Sequence, residues 1–482
     1  MQARNLIVIM SDEHDPRYMG VSGDVQIKTP HLDALAQRGT RFTNAVTPSP
    51  ICVPARAAFA TGRHVHDIGY WDNAIGYDGA ERGWGHTLQD AGVVVESVGK
   101  LHYQNDEAPA GFDTEHLPMN LYNGHGMVWG SVRDPLPSQA PHGKRMLGEY
   151  IGPGESTYTR YDDAVTKRTE QWLTEHAADT SPWCLYVGLV APHFPLVVPQ
   201  AYLDHYPRDA LAPRKLHPRD GHKRHPWIQR QHEFFPNEDQ FENEAERLLA
   251  ISCYLGLCTW VDEHVGRIVD AIESTGLGAD TRIIYTSDHG DNVGHRGMWG
   301  KSNFYLESVA VPMIMAGPDV APAVVDTPVS LIDLYPTILE AMDIASPGDE
   351  APRPGRSLFE LADGTTDTER CVFSQYHAVG TETGGFMVRK GRWKLHYYVD
   401  YPPELFDLEA DPQELTDLGA DPKHAAILAQ MRAELEAICS PDKVNAAAKR
   451  SQAALIERHG GREIALTVGA PAATPPPGTE SA

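Results

Sequence analysis

The segment Leu6-Ile7-Val8-Ile9-Met10 is uniformly apolar and gives way at once to Ser11-Asp12-Glu13-His14. A strand with one solvated face alternates apolar and polar residues. An unbroken apolar run of this length belongs instead to a strand covered on both faces, as inside a parallel sheet. The chain repeats the pattern. Thr281–Ser287 carries Ile283-Ile284-Tyr285 and closes on Asp288-His289-Gly290-Asp291, after a helix whose apolar face holds Val261, Val265, Ile268, Val269 and Ile272. Residues 92–99 lead to Lys100 and His102, and residues 185–191 to Pro192-His193. Open α/β sheets bind their ligands beyond the carboxyl ends of the strands, so these loops predict one site at one edge of a sheet.

The 482 residues exceed the roughly 250–300 at which a single core stops growing, so one large and one smaller domain are expected. The reading is an α/β catalytic domain over 1–365, built on a large, mostly parallel sheet flanked by helices. An α+β subdomain over 366–468 and a Pro- and Ala-rich tail over 469–482 follow. In the subdomain, 371–376, 385–389, 393–399 and 405–408 read as short antiparallel strands, followed by helices over 425–439 and about 444–459. The tail is expected to be disordered or draped over a neighbouring subunit of a homo-oligomer. Residues 205–239, dense in His, Arg, Pro and Asp, read as a long surface insertion.

Composition narrows the function classes. Lys and Arg number 41 against 66 Asp and Glu, a formal charge of −25 that repels polyanions. Nucleic acid and anionic membrane are excluded as main partners, and any anion site must be a local basic pocket. The six cysteines have no regular spacing and no CxxC, which gives neither a disulfide scaffold nor a zinc ribbon and fits a reducing compartment. The apolar run at the amino end is too short for a signal-peptide core or a membrane span, so a cytoplasmic protein is expected.

Asp12 taken alone fits a cap on the following turn as well as a ligand. Asp12, Asp288 and His289 together form an oxygen-rich set with one imidazole, suited to calcium, magnesium or manganese rather than zinc. Lys100 and His102, at i and i+2, share a face if the chain stays extended. Lys301 stands in the glycine-punctuated loop Gly297-Met298-Trp299-Gly300-Lys301-Ser302-Asn303. Cys52-Val53-Pro54-Ala55-Arg56 places a cysteine between a proline-broken segment and an alanine-rich run that opens a helix, whose amino end favours negative charge. Singly, a cysteine packs in cores and a lysine or histidine is solvated; the shared placement of these groups after apolar strands points to chemistry.

Asp12, the Cys52-x-Pro54-x-Arg56 motif, the strand ending in Gly99-Lys100-Leu101-His102, Pro192-His193, Asp288-His289-Gly290-Asp291 and Lys301 follow one another in an order that resembles the type I sulfatases of the alkaline phosphatase superfamily. The likeness spans about residues 4–420 and rests on two separate signatures, one at Cys52 and one ending in Gly99-Lys100. The resemblance implies that a formylglycine-generating enzyme oxidises Cys52 to formylglycine (3-oxoalanine). It further implies that one hydroxyl of the aldehyde hydrate attacks sulfur to give a covalent sulfo-enzyme, and that the second hydroxyl expels sulfate. Asp12, Asp288, His289 and modified Cys52 would hold one divalent cation, calcium first, with manganese or magnesium as alternatives. Glu13, expected to reach the same cation, stands where many members have a second aspartate ligand, and His289 where many have asparagine. The latter is similar to the branch with choline sulfatases and phosphonate monoester hydrolases. Arg56 would orient the hydrate, Lys100 and His102 would bond the nucleophile and a sulfate oxygen, and His193 and Lys301 would bind sulfate and protonate the leaving oxygen.

The other half of the substrate is less legible. Trp71-Asp72-Asn73 and residues 122–129 are expected walls of the site, with Trp129 facing a cationic or aryl group and His377 at the mouth. The favoured activity is hydrolysis of small aryl or alkyl sulfate monoesters. Alternatives are a phosphonate monoester or phosphodiester hydrolase with the same machinery, and a metal-binding scaffold without catalysis. Six converging polar groups argue against the scaffold.

Overall fold

A computed structural model describes residues 4–23, 26–141, 145–348, 353–363, 365–470 and 474–478. The expected boundary at 362–367 includes position 364, which lies outside the described residues, as do 471–473 and 479–482 of the tail.

Eight strands form the central sheet: β1 (Asn5–Asp12), β2 (Thr40–Phe42), β3 (Val94–Lys100), β4 (Thr114–Met119), β5 (Trp183–Pro192), β6 (Thr281–Ser287), β7 (Met313–Ala316) and β8 (Ala323–Val325). Their order across the sheet is β8-β2-β7-β6-β1-β5-β3-β4. The strands from β6 to β4 run parallel, and β7 is antiparallel to both its neighbours. β1 lies at the centre, and Leu6 through Met10 are 0% exposed. Ile7 and Ile9 pack into one core while Leu6, Val8 and Met10 pack into another, which is why no polar residue interrupts the run. At about 2 kcal/mol for each buried side chain, these five contribute about 10 kcal/mol, so a charge at Val8 would open both cores at their meeting plane.

Helices cover both faces. α1 (Cys52–Thr61) lies on one side; α2 (Thr157–Glu175) and the 31-residue α3 (Glu244–Ser274) lie on the other. Ser156 begins α2 by accepting a bond from Thr159 N, and Asn243 begins α3 through Glu246 N. The carboxyl-terminal region holds a four-stranded antiparallel sheet: β9 (Val372–Tyr376), β10 (Gly385–Lys390), β11 (Trp393–Tyr398) and β12 (Glu404–Asp407). Helices Ala425–Ile438 and Pro441–Arg458 follow.

Two segments differ from their sequence reading. Residues 205–239 are not merely a surface insertion: Trp227, Ile228 and Phe234 of helix Pro226–Phe234 are about 1% exposed, and they pack against the carboxyl-terminal sheet. Of the described tail residues, Ala470 and Thr474 line a cavity of this same chain. The apolar residues of 226–235 are spaced among Gln, Arg and His, so the eye reads polarity where the fold buries one face. Among the described residues, no helix is long and apolar enough to cross a membrane.

Candidate functional site

Strand register assembles the site. Ser11 pairs with Ser287 and Asp12 with Pro192, so Asp12, Asp288 and His193 emerge at the same edge of neighbouring parallel strands. Gly99 pairs with Gly188 on the far side of β5 and delivers Lys100 to the same place. Gly99 has a φ of +98°, and a Cβ there would stand 2.2 Å from the Gly188 carbonyl oxygen, so only glycine lets β3 lie this close before the lysine.

Cys52 is the first residue of α1, and the Asn73 side-chain oxygen accepts a bond from Val53 N at 3.1 Å, tying down the start of the helix. The Cys52 Sγ lies 3.7 Å from Asp12 Oδ1 and 3.2 Å from His289 Nε2. Ligand atoms of Asp12, Cys52, Asp288 and His289 all fall within 4.8 Å of one another, and all four residues are buried. The His289 Nδ1–H donates to the Gly290 carbonyl at 3.1 Å, which turns the Nε2 lone pair toward the cluster.

Arg56 divides the two carboxylates by function. Its Nη2 donates to Asp12 Oδ2 at 3.0 Å and its Nε to Asp288 Oδ2 at 2.9 Å, leaving both Oδ1 atoms on the Cys52 and His289 side. Lys100 O and Tyr186 Oη take the remaining bonds from Nη1. Lys100 Nζ reaches Asp12 Oδ2 at 2.7 Å. Burial alone would discourage charge on Asp12, but Lys100, His193, Arg56 and Lys301 outweigh it and hold the carboxyl well below its usual range. Buried carboxylates with turned-out oxygens, and an imidazole presenting a lone pair, are a donor set that fits a hard divalent cation.

The Cys52 thiol is in the opposite situation. Burial pushes it up to about 12 and the Asp12 charge adds to the effect, so it stays protonated at neutral pH. A thiol in that state is a poor nucleophile, despite its place at a helix amino end.

Glu13 adopts a left-handed backbone, φ +72°, and its carboxylate lies outside the four-residue cluster but forms a second buried group with Asp12 and His193, whose ligand atoms fall within 4.8 Å of one another. Its Oε2 lies 3.1 Å from Lys301 Nζ and 3.4 Å from His193 Nε2. Burial raises this carboxyl to about 8. The His193 Nδ1–H donates to the Phe194 carbonyl at 2.6 Å, so Nε2 is the ring atom presented to the site. Burial first, and Lys301 second, hold His193 well below its ordinary value. The loop carrying Lys301 is fixed by Asp291, whose Oδ1 accepts bonds from Val293 N and Gly300 N. His102 pairs through Nε2 with Thr474 Oγ1 at 2.9 Å.

Cys52, Asn73, Lys100, His102, His193 and Lys301 line one cavity. Trp129 and His377, expected at its wall or mouth, are not among its lining residues; each is 1% exposed. Trp129 stacks on Phe234 and donates its ring N–H to the Ala470 carbonyl. His377 packs edge-on against Trp71, with its Nε2 beside the Gln375 amide. Trp129 thus reaches the cavity only through the Ala470 backbone, while His377 Nδ1 is buried with no hydrogen-bond partner among the described residues. Tyr122, His125, Gly126 and Met127, from the expected wall at 122–129, do line it, and further walls come from residues not singled out in the sequence: Tyr158, Phe194, Gln231, Phe235, Asn237 and Glu238. The aromatic and acidic character of 231–238 was visible in the sequence, but nothing local placed it against the carboxyl edge of the sheet.

Comparisons with known proteins accord with this geometry. A family model described as Sulfatase matches residues 4–344, and one described as N-sulphoglucosamine sulphohydrolase, C-terminal, matches residues 294–440. A choline-sulfatase of Rhizobium meliloti (strain 1021) is 32% identical over 430 residues, covering 85% of this chain and 81% of that protein. Arylsulfatase K of Homo sapiens is 28% identical over 438 residues, covering 85% and 78%. The fold is shared with the phosphonate monoester hydrolase of Agrobacterium radiobacter (TM-score 0.72, 21% identity, 90% and 95% of the two chains). It is also shared with the phosphonate monoester hydrolase of Silicibacter pomeroyi (TM-score 0.73, 24% identity, 90% and 94%). With its Cys52 motif at a helix start beside two strand-end aspartates, and a family match over most of its length, the chain belongs to the sulfatase family.

Proposed function

We propose that this chain hydrolyses sulfate monoesters of small aryl or alkyl alcohols, using Cys52 oxidised to formylglycine and one divalent cation. The observation that carries the reading is the meeting of Asp12, Cys52, Asp288 and His289 in one buried cluster beside Arg56, Lys100 and Lys301. In a chain of charge −25, that is the local basic pocket an anionic substrate requires.

The protonated thiol favours modification over thiolate chemistry: a sulfur held at about 12 gains nothing from its position, whereas a hydrated aldehyde offers an oxygen nucleophile. A divalent cation, calcium first by its oxygen-rich donors, would be held by Asp12, Asp288, His289 and modified Cys52, and it supplies charge that activates a hydroxyl and offsets the sulfate oxygens. Arg56 keeps the two carboxylates turned toward that cluster. Lys100 and His102 line the cavity beside Cys52 and bond a sulfate oxygen there. Lys301, kept protonated because neighbouring negative groups outweigh its burial, binds the sulfate. His193 holds its Nδ1–H on Phe194, so Nε2 takes the proton that Glu13 carries, its carboxyl raised by burial to about 8, and passes it to the leaving oxygen, leaving Glu13 as the carboxylate. A formylglycine-generating enzyme is the maturation partner.

The test is the mass of the tryptic peptide carrying position 52, which should show sulfur replaced by oxygen with loss of two hydrogens. Only unmodified thiol in fully active enzyme would refute the mechanism. Turnover of 4-nitrophenyl sulfate against a phenyl phosphonate monoester tests the substrate class; a large phosphonate advantage reassigns the chain to phosphonate ester hydrolysis with the same residues.

A further inference from the structure

The carboxyl-terminal tail is held against the cavity at defined points. The backbone N–H of Trp129 donates to Val468 O at 3.3 Å, and its ring N–H donates to Ala470 O at 2.9 Å. Between them Gly469 has a φ of +106°, and a Cβ there would lie 2.1 Å from the Gly126 carbonyl oxygen. Only glycine lets the tail lie this close to the loop at 126–127. Further on, Thr474 is gripped twice: its carbonyl accepts the Tyr158 hydroxyl at 2.6 Å, and its own hydroxyl pairs with His102 Nε2 at 2.9 Å. Pro475 and Pro477 then lie along a shallow groove with Asn105, Asp106 and Pro118.

Ala470 and Thr474 line the same cavity as Cys52, Lys100, His102, His193 and Lys301. Tail atoms therefore occupy one side of the space in which a sulfate ester would react. His102 and Tyr158, the groups that grip Thr474, are each only 5% exposed. A small ester can fill the cavity with this wall in place. A polymer sulfated at an internal unit must continue out of the cavity on both sides of the reacting group, and the tail stands on one of them.

We propose that the tail forms a wall of the reaction cavity, with Thr474 set against His102, and that this wall restricts the chain to small monoesters and excludes sulfated polymers. The proposal rests on the sulfate-ester reading and adds to it a specificity element made by Ala470 and Thr474 of the same chain.

The experiment compares the full chain with a chain ending at Val468. Two substrates share one leaving group: a nitrophenyl sulfate, and the same aryl sulfate carrying a polyethylene glycol chain on its ring. The full chain should prefer the small ester, and truncation should reduce the kcat/KM ratio at least about tenfold, within the range that pocket sterics provide. An unchanged ratio overturns the proposal. Gly469→Val, which displaces the tail while leaving it attached, should shift the ratio the same way and serves if the truncated chain does not fold. A second readout needs no turnover: carbethoxylation of His102 by diethyl pyrocarbonate, followed by peptide mass, should be several-fold faster without the tail. Equal rates also overturn the proposal. If the full chain turns over neither ester, the sulfate-ester reading fails, and the His102 labelling still decides whether the tail walls the cavity.

Discussion

Arg56→Met removes the guanidinium between Asp12 and Asp288 while keeping much of its volume. The two carboxylates do not suffer equally. Asp12 Oδ2 keeps Lys100 Nζ at 2.7 Å, whereas Asp288 Oδ2 loses the guanidinium at 2.9 Å that is its nearest cation. A unit-charge pair at 2.9 Å in a medium of effective dielectric about 20 is worth about 6 kcal/mol before desolvation. Deleting one partner of a buried pair costs about 3–5 kcal/mol net, and both residues are buried. In chelator-treated protein the variant should therefore lose about 3–5 kcal/mol of stability, read by urea unfolding followed through tryptophan fluorescence. Saturating calcium or manganese should recover about half of the loss, because a cation on the Oδ1 side supplies positive charge that Asp288 then lacks. Arg56→Lys should fall between, since one ammonium cannot bridge two carboxylates and Lys100 O together. A loss of the same size with and without metal would show that Asp288 is not shared between Arg56 and a cation, and would refute the proposed ligand set.

Cys52→Ser should abolish multiple turnover, because a serine sulfate has no second hydroxyl through which to release sulfate; sustained steady-state hydrolysis by this variant removes formylglycine from the mechanism. His193→Ala should slow esters with poor leaving groups by about 100-fold or more and activated aryl sulfates far less, so equal losses across a leaving-group series exclude its acid role. His264, bonded to Thr166 Oγ1 at 2.8 Å, is lowered by burial from 6.5 to about 4. Its neutral form is favoured in the native state, so its contribution is complete above pH 6.5 and is lost as pH falls toward 4. His264→Gln should reduce the slope of stability against pH near pH 5 by about 1.4 kcal/mol per unit, and an unchanged slope contradicts a neutral buried imidazole.

Much of the fold was open to reading because a central parallel strand leaves no polar position. Leu6 through Met10 could lie only between two cores, and Ile283-Ile284-Tyr285 likewise belonged inside the sheet. The acids after these strands were then bound to meet at the carboxyl edge, as Asp12 and Asp288 do on either side of Arg56. Cys52, Arg56, Lys100, His102 and His193 were legible for a second reason: each lies within a few residues of a strand end or helix start, whereas Lys301 stood out in a glycine-punctuated loop. Trp129 and His377 were misplaced because an aromatic or imidazole ring in a loop carries no local sign of which way it turns. Phe234 and Trp71 decided that.

The sequence by itself determined the α/β class, the divided set of strand-end acids and bases, and the cysteine motif at a helix start, all of which are local patterns set by burial on two faces and by chain geometry. The tertiary structure alone decided that Glu13 turns to Lys301 and His193, that residues 231–238 wall the cavity, and that Thr474 reaches His102 from 372 positions away. Such contacts depend on which side chains long-range packing brings together, and the order of residues along a strand or helix carries no record of them.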